Sequence, residues 1–380
     1  MNKPKGISLL RKEGFQTLLA SLLCILGGLL IGYIVLLIIE PSGAWDAILA
    51  VMKNYLVYPE VLQAKYLGQT LTRTAPLLMC ALSVLFAYKV GMFNIGAAGQ
   101  YVVGACAALY CALAWKLPWY VCMLAAMAAG ALWGAVSGAL KTFCNVNVVI
   151  SGIMLNWIGL YLTNLILGSV KNPTSPYTLN LRGVNPGGLI PDMGLGAFFK
   201  NEKSVTLAIP LAVVMAVVVW VILNKTKFGY ELKATGYNYH AAKYAGMKEN
   251  RNIVFTMMIS GALAGMGAAM LYLTGIEEWE TTISSVPAMG FNGIAVAFLG
   301  GLSPIGSILA AYFIQHITLG GANVDLTLYS SQISSLISSL IIFLCAFVAF
   351  FKLAIQNNIR KSDEKKAARK AASQEGGEAK

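Results

Sequence analysis

The sequence predicts an all-α polytopic membrane protein of about ten transmembrane helices, some of them broken or re-entrant. Three observations lead there. Hydrophobic residues make up 57% of the 380-residue chain and charged residues only 12%, against about 25% charged in soluble domains. The mean hydropathy is +0.68. The apolar residues also gather into runs near the twenty that a helix needs to cross hydrocarbon.

Taken in order, residues 1–17 form a basic cytoplasmic N-terminus, and 18–39 make the first span of a membrane domain reaching to 351. That run is too long for a signal-peptide core, and no small-residue cleavage site follows it, so it is expected to stay in the membrane. The runs 70–88, 97–115, 118–140, 147–168, 204–223, 253–274 and 333–351 read as further spans. Two more, 287–300 and 305–319, fall short of the roughly 17 residues of a full crossing. Only Gly301-Leu302-Ser303-Pro304 separates them. Such a pair suggests broken or re-entrant helices packed inside protein.

The segments 40–69 and 170–203 read as long external loops. The second contains Pro173, Pro176, Pro186 and Pro191, so it cannot be helical throughout and is expected to form an ordered cap or a partner surface. With both termini inside, twenty of the 28 Lys and Arg residues fall on the cytoplasmic side, as the positive-inside rule requires. The same segments account for the net charge of +12, so no nucleic-acid partner is needed. The tail, 352–380, carries mixed charge and many alanines. It reads as a solvated, frayed helix or a disordered segment that touches anionic membrane lipids.

Gly130, Gly134 and Gly138 recur at every fourth position, and Gly261 and Gly265 repeat the spacing. Ser334, Ser335, Ser338 and Ser339 form a similar small-residue face. Small residues at this interval let helix backbones approach closely in lipid, here within one subunit. The seven cysteines lie in or beside apolar runs without a CxxC, and read as small buried hydrophobes. With two histidines, His240 and His316, no metal or histidine-based catalytic site is expected. Nor does the chain contain GxSxG, HExxH or a Gly-Lys dipeptide. It is read as a non-enzyme without a cofactor, and any ATP must be hydrolysed by another polypeptide.

Polar residues within membrane segments are the functional candidates. Asn94 and Gln100 lie in "GMFNIGAAGQ" (91–100), a glycine-rich stretch between two apolar runs. Asn145 and Asn147 precede the fifth span, Asn156 and Asn164 lie within it, and Asn292 stands in "MGFNGIAVAFLG" (289–300). A path lined by amides without Asp, Glu, Lys or His suits a neutral polyhydroxyl or heterocyclic solute better than an ion. Each amide could equally bond a neighbouring helix. "MFNIG" (92–96) and "GFNGI" (290–294) both set Phe-Asn beside glycine at the start of an apolar segment. Their opposite crossing directions suggest an inverted repeat with two half-helix starts meeting near the bilayer centre.

The cytoplasmic loop 224–252 alternates small residues with aromatics and charges, and 239–246 reads as a short helix whose small-residue face a larger partner could receive. "FGYELKATGYNYHAAKYAGMK" within it resembles the coupling-loop region of ABC importer permeases in the branched-chain amino acid, ribose and nucleoside branch. "GMFNIGAAGQ", "VVISGIMLNWIGLYL" (148–162) and "GFNGIAVAFLG…PIG" resemble, in the right order from about residue 70 to 320, the nucleoside (basic-membrane-protein-type) permeases of that branch.

The resemblance implies a type II-like translocation subunit in the cytoplasmic membrane. It would pair with a second permease, identical or different, with a cytoplasmic ABC ATPase, and with an external solute-binding lipoprotein. It also implies that Phe93, Asn94, Gln100, Asn156, Phe291 and Asn292 line the solute path. Gly229, Tyr230, Glu231, Tyr239, Ala241, Ala242, Tyr244, Ala245 and Gly246 would meet the ATPase. Ala98 stands where the family often has an acid, and Asn292 where it often has Asp, which makes the path more neutral still. A ribose-like sugar within the same branch, and an ATP-independent secondary transporter or channel, are the other readings.

Overall fold

Two long helices, each more than half buried, form the axis around which the rest of the chain is arranged. The structure is a computed structural model. It describes residues 13–375 apart from 331 and 346. The basic residues before Glu13, the last five residues, and the side chains of Ser334, Ser338 and Cys345 lie outside the described residues. Among the described residues there is no strand, only two isolated bridges, Lys171 with Thr178 and Tyr177 with Glu280.

The main helices are α1 (Glu13–Ile39), α2 (Ala44–Lys53), α3 (Glu60–Lys89), α4 (Ala97–Leu113), α5 (Trp119–Cys144), α6 (Val148–Leu167) and α7 (Ala208–Lys225). There follow α8 (Lys227–Tyr237), α9 (Tyr239–Tyr244), α10 (Glu249–Tyr272), α11 (Ala288–Leu299), α12 (Pro304–Gly320), α13 (Ile333–Cys345) and α14 (Val348–Glu375). Seven of these, α1, α3, α5, α6, α7, α10 and α12, are long and apolar enough to cross a membrane. The chain is thus an all-α polytopic membrane protein.

The apolar stretches of α3 and α10 are 89% and 72% buried, against 28% for α1 and for α7. A helix that is apolar all round is stable only inside a bundle or in lipid; α3 and α10 take the first place, α1 and α7 the second. The packing across the axis is reciprocal: α3 packs along α11, and α10 along α4. Each long helix thus lies on the short helix of the other half, as an inverted repeat would arrange them.

The glycine stripes join α5 to α10 within this one chain. A β-carbon on Gly130 would overlap the Gly261 carbonyl, and one on Gly265 the Ala126 carbonyl. Gly104 of α4 meets Gly265 as well, so three helices come together backbone to backbone. Where lipid is as apolar as leucine, such close contact supplies the attraction that hydrophobic burial supplies in water.

Four expectations from sequence need correction. The span placed at 70–88 belongs to a thirty-residue helix that begins at Glu60, about 45 Å long at 1.5 Å per residue. Its first ten residues mix Glu60, Gln63, Lys65 and Gln69 with apolar residues, so they escape a hydropathy reading; α2 occupies much of the rest of the supposed loop. The segment 224–252 holds two helices, α8 and α9, where one was expected. The run 333–351 is divided between α13 and α14, and α14 continues without interruption into the tail. Finally, the run 305–319, read as too short to cross, belongs to a helical stretch of twenty residues, Pro304–Asn323, long and apolar enough to do so, whereas 97–115, read as a full span, holds the shorter helix α4; α11, at twelve residues, is short as expected and spans only about 18 Å.

Residues 170–203 form an ordered cap. Thr178 N–H donates to the Trp279 carbonyl at 2.9 Å, and Ile190 N–H to the Leu273 carbonyl at 2.9 Å. Asn185 Nδ2 donates to the carbonyls of Ala112 and Leu117, each at 2.9 Å. The prolines are accommodated because side chains and the neighbouring 273–283 loop replace the backbone partners that a helix would have supplied.

Candidate functional site

The glycine-rich stretch at 91–100 is the break between α3 and α4. Helix α3 ends in a Schellman motif: Gly91 N–H donates to the Tyr88 carbonyl at 3.0 Å and Met92 N–H to the Ala87 carbonyl at 3.0 Å. Gly91 takes φ +77°, a left-handed conformation that glycine adopts without steric cost. Helix α4 restarts at Ala97, leaving its first N–H groups without helical partners.

Side chains from three other elements satisfy what the break exposes. Asn156 of α6 accepts from Gly99 N–H at 2.7 Å and donates from Nδ2 to the Ile95 carbonyl at 3.1 Å. Asn94 Nδ2 donates to Gln100 Oε1 at 2.8 Å and to Ser260 Oγ at 2.6 Å. Ser260 donates its one proton to the Ser83 carbonyl at 2.8 Å. The Ser83 hydroxyl, 2.9 Å from Ser260 Oγ, is therefore the donor of that pair. Asn94, Gln100, Asn156, Ser83 and Ser260 are all buried. They form a closed polar knot tying the break to α3, α4, α6 and α10, a requirement for irregular backbone at membrane depth.

The similar stretch at 290–294 meets this break. Gly290, in the first turn of α11, lies against Ala98 in the first turn of α4; a β-carbon on Gly290 would stand 2.7 Å from Ala98 N and 2.8 Å from Ala98 Cβ. Gly293 lies on Cys80 and Ala81 of α3. The two helix starts are therefore in contact, but the Phe-Asn pairs differ in register. Phe93 and Asn94 precede α4, whereas Phe291 and Asn292 lie inside α11. Their environments differ accordingly: Asn94 is fully enclosed, while Phe291 is 37% exposed and Asn292 half-buried.

The seven amide candidates now separate. Asn145 is the left-handed C-cap of α5, at φ +50°. Asn147 is the N-cap of α6, accepting from Val149 N–H at 2.8 Å. Asn164 donates to the Ile283 carbonyl at 2.8 Å and accepts from Trp279 Nε1 at 2.9 Å. Asn94, Gln100 and Asn156 are engaged in the knot. Among the described residues, the Asn292 side chain is the one member of the set with no hydrogen-bond partner.

Sequence reading missed Ser83 and Ser260, whose only signal is a serine within each of two buried apolar runs. It also missed a hollow of about 510 Å³ at the cap, lined by Tyr177, Tyr272, Glu277, Glu278, Trp279 and Pro287 among others. This hollow reaches the N-terminus of α11 and combines aromatic surface with carboxylates.

At the other end of the bundle, α8 and α9 are capped by short polar side chains. Thr226 Oγ1 accepts from Gly229 N–H at 3.0 Å, and Asn238 Oδ1 from Ala241 N–H at 3.0 Å. Gly229 faces the backbone of Ile222 and Leu223, where no β-carbon fits. Ala242 is buried, Tyr230 exposed, and Tyr237 and Tyr244 are 96% and 94% exposed. Gly246, at φ +79°, closes α9 with a second Schellman motif. Glu231 pairs with Arg251 at 3.6 Å, and Tyr239 Oη donates to Asn250 Oδ1 at 2.9 Å. The surface thus offers protruding rings on a base held by ion pairs and caps. Ala241 and Ala245 are exposed beside them, and Tyr239 is half-buried.

An all-α bundle with a buried helix break and a ring-bearing surface of short helices is a membrane permease in form. The chain belongs to the family described as branched-chain amino acid transport system / permease component, whose pattern matches residues 66–350. It is 34% identical over 323 residues to the guanosine ABC transporter permease protein NupP of Bacillus subtilis, covering 81% of this chain and 87% of that one. It is 29% identical over 312 residues to the nucleoside ABC transporter permease protein NupB of Lactococcus lactis, covering 80% and 84%. The glucose ABC transporter permease protein TsgB13 of Haloferax volcanii is 29% identical over 280 residues, covering 71% and 73%. No solved structure matches the chain at a significant level.

Proposed function

We propose that the chain is the translocation subunit of a binding-protein-dependent ABC importer that carries a nucleoside-like solute across the cytoplasmic membrane. The observation that carries the reading is the uncovered pair Phe291 and Asn292 on α11. It offers a ring for stacking and an unengaged amide for hydrogen bonding, the two contacts that a heterocyclic base with a sugar requires. The 34% identity to a guanosine permease supports the same solute class. The weaker likeness to a glucose permease supports a sugar as the second reading.

The path runs from the hollow at the cap along the exposed face of α11, and Phe93 is assigned to its lining by the family resemblance. Asn94, Gln100 and Asn156 act as the wall that holds the break in place. A second permease subunit covers the exposed face of α11 and completes the path. A solute-binding lipoprotein delivers the solute at the cap, and a cytoplasmic ABC ATPase docks on α8 and α9, contacting Tyr230, Ala241, Tyr244, Ala245 and Gly246. Contacts along the path are few, as release requires. ATP hydrolysed by the partner moves α8 and α9, and through them the break.

Reconstitution with the partner subunits tests the reading. Guanosine uptake is expected to require hydrolysable ATP; uptake without ATP would sink it, and uptake inhibited by glucose but not by nucleosides would favour the sugar. Orientation is tested through Cys144, exposed at the end of α5. A membrane-impermeant thiol reagent is expected to reach it in inverted vesicles and not in right-side-out ones.

A further inference from the structure

The hollow of about 510 Å³ at the cap has the size of a small-molecule site, and its walls are held in place. Trp279 is pinned through Nε1 to Asn164 of α6 at 2.9 Å, and Asn164 donates in turn to the Ile283 carbonyl at 2.8 Å. Tyr177 stands opposite Glu280 in an antiparallel bridge, and Thr281 N–H donates to the Pro176 carbonyl at 2.9 Å. The Tyr177 side chain is nevertheless 41% exposed, which leaves ring surface for a solute to stack on.

Three carboxylates line the hollow, and they are not equivalent. Glu278 accepts from Asn180 Nδ2 at 2.7 Å, and Glu280 from Thr282 Oγ1 at 3.2 Å. Glu277 accepts no hydrogen bond among the described residues. Arg73 Nη1 stands 3.9 Å from its Oε2, beyond hydrogen-bonding distance, so both Glu277 oxygens are open to donors from a solute. A separate observation lies at the floor. Tyr272 lines the hollow, and behind it, with 6.4 Å between ring centres, stands Tyr101 of α4. Tyr101 is 1% exposed, and its hydroxyl has no hydrogen-bond partner among the described residues. Buried hydroxyls are seldom left so, and an absent ligand or water is one physical cause.

An open carboxylate beside an exposed ring suits a flat solute that carries two adjacent N–H donors on one edge, since such a pair bonds both oxygens at once. Among the common bases, the 6-oxo-2-aminopurine edge alone sets two donors side by side; adenine sets one donor beside an acceptor. We propose that the hollow is a recognition subsite for 6-oxo-2-aminopurine nucleosides such as guanosine. The base lies against Tyr177, Glu277 accepts its N1–H and N2–H, and a sugar hydroxyl passes the edge of Tyr272 to meet Tyr101. This deepens the transport reading, on which it rests for the nucleoside class, and makes Glu277 the residue that selects the base. An organic cation is a poorer occupant, because Phe291 and Asn292 further along the path offer it no counter-charge.

The experiment is equilibrium binding of tritiated nucleosides to the full chain, purified and held in nanodiscs without partner subunits. Guanosine is expected to bind about ten-fold more tightly than adenosine, which carries the same sugar. Glu277→Gln presents one donor and one acceptor, the complement of the adenine edge, so it should reverse that preference. Tyr101→Phe should weaken both nucleosides about three-fold. The melting temperature of the unliganded Tyr101→Phe chain should stay the same or rise, because only an unbonded hydroxyl is lost. Equal binding of the two nucleosides, an unchanged preference in Glu277→Gln, or an unaffected Tyr101→Phe variant would each overturn the proposal. So would displacement of guanosine by glucose or by tetramethylammonium, which would make the hollow a sugar or a cation site. Selective binding without ATP-driven uptake by the reconstituted complex would sink the transport reading and leave the subsite standing. ATP-driven uptake with no change of preference in Glu277→Gln would do the reverse.

Discussion

Gly91 and Gly236 approach so closely that a β-carbon on Gly91 would stand 2.9 Å from the Gly236 carbonyl oxygen and 3.0 Å from its Cα. Gly91 opens the break between α3 and α4; Gly236 lies in the last turn of α8. The surface proposed to receive the ATPase therefore rests directly on the break, backbone against backbone.

This contact predicts a defect of coupling. A β-carbon at Gly236 would meet the backbone of Val90 and stand 2.7 Å from Gly91 N, so Gly236→Ala must push α8 away from the break. The complex is expected to assemble and hydrolyse ATP, while solute moved per ATP falls at least about ten-fold, the equivalent of about 1.4 kcal/mol. An unchanged ratio would remove this contact from the coupling route.

Asn156→Ala is expected to be a stability variant. It leaves Gly99 N–H and the Ile95 carbonyl without their partner in a buried site, at about 1–3 kcal/mol each. Denaturant unfolding in mixed micelles should show a loss of about 2–4 kcal/mol after some relaxation. A loss below about 0.5 kcal/mol would mean that water or another group reaches the break.

Asn292→Ala should behave in the opposite way. It removes no hydrogen bond among the described residues, so stability should stay within about 0.5 kcal/mol. Nucleoside uptake should nevertheless fall, and Phe291→Ala should lower it as well. Unchanged uptake in both variants would move the solute path away from this face of α11.

The glycine seam yields a packing prediction. Gly130→Val and Gly261→Val insert side chains where backbone already meets backbone. Overpacking usually costs about 1–3 kcal/mol, and here neither partner has a rotamer with which to yield. Both variants should fail to accumulate as folded protein, whereas Gly168→Ala, with nothing within 4 Å of the new carbon, should fold normally. Fluorescence-detected size exclusion distinguishes the two outcomes.

Apolar run length and the fourth-residue glycine spacing made the bundle and its close-packing glycine faces legible in the sequence, because lipid imposes both patterns directly; that the faces of α5 and α10 meet each other was not. The first third of α3 was not legible, since "EVLQAKYLGQ" interleaves Glu, Gln and Lys with its apolar residues and so breaks the apolar run. At the site, the residue types were visible but their duties were not. Asn94, Asn156 and Asn292 look alike along the chain. What separates them is whether an orphaned backbone group, or a serine on another helix, lies within about 3 Å, and such distances are set by the tertiary fold. Ser83 and Ser260 belong to the knot only because α3 and α10 are adjacent.

The two bonds of Asn156 reach Ile95 and Gly99, on either side of the turn at Gly96. Helix α6 cannot shift against α4 without losing both at once, and nothing between them accommodates a partial displacement. On the other side, Gly290 meets Ala98 through carbon and backbone atoms alone, so that contact is packing without a side-chain hydrogen bond. The two helix starts thus differ as a pinned joint differs from a sliding one. Any rearrangement of the core that spares the break must carry α4 and α6 together and slip along α11.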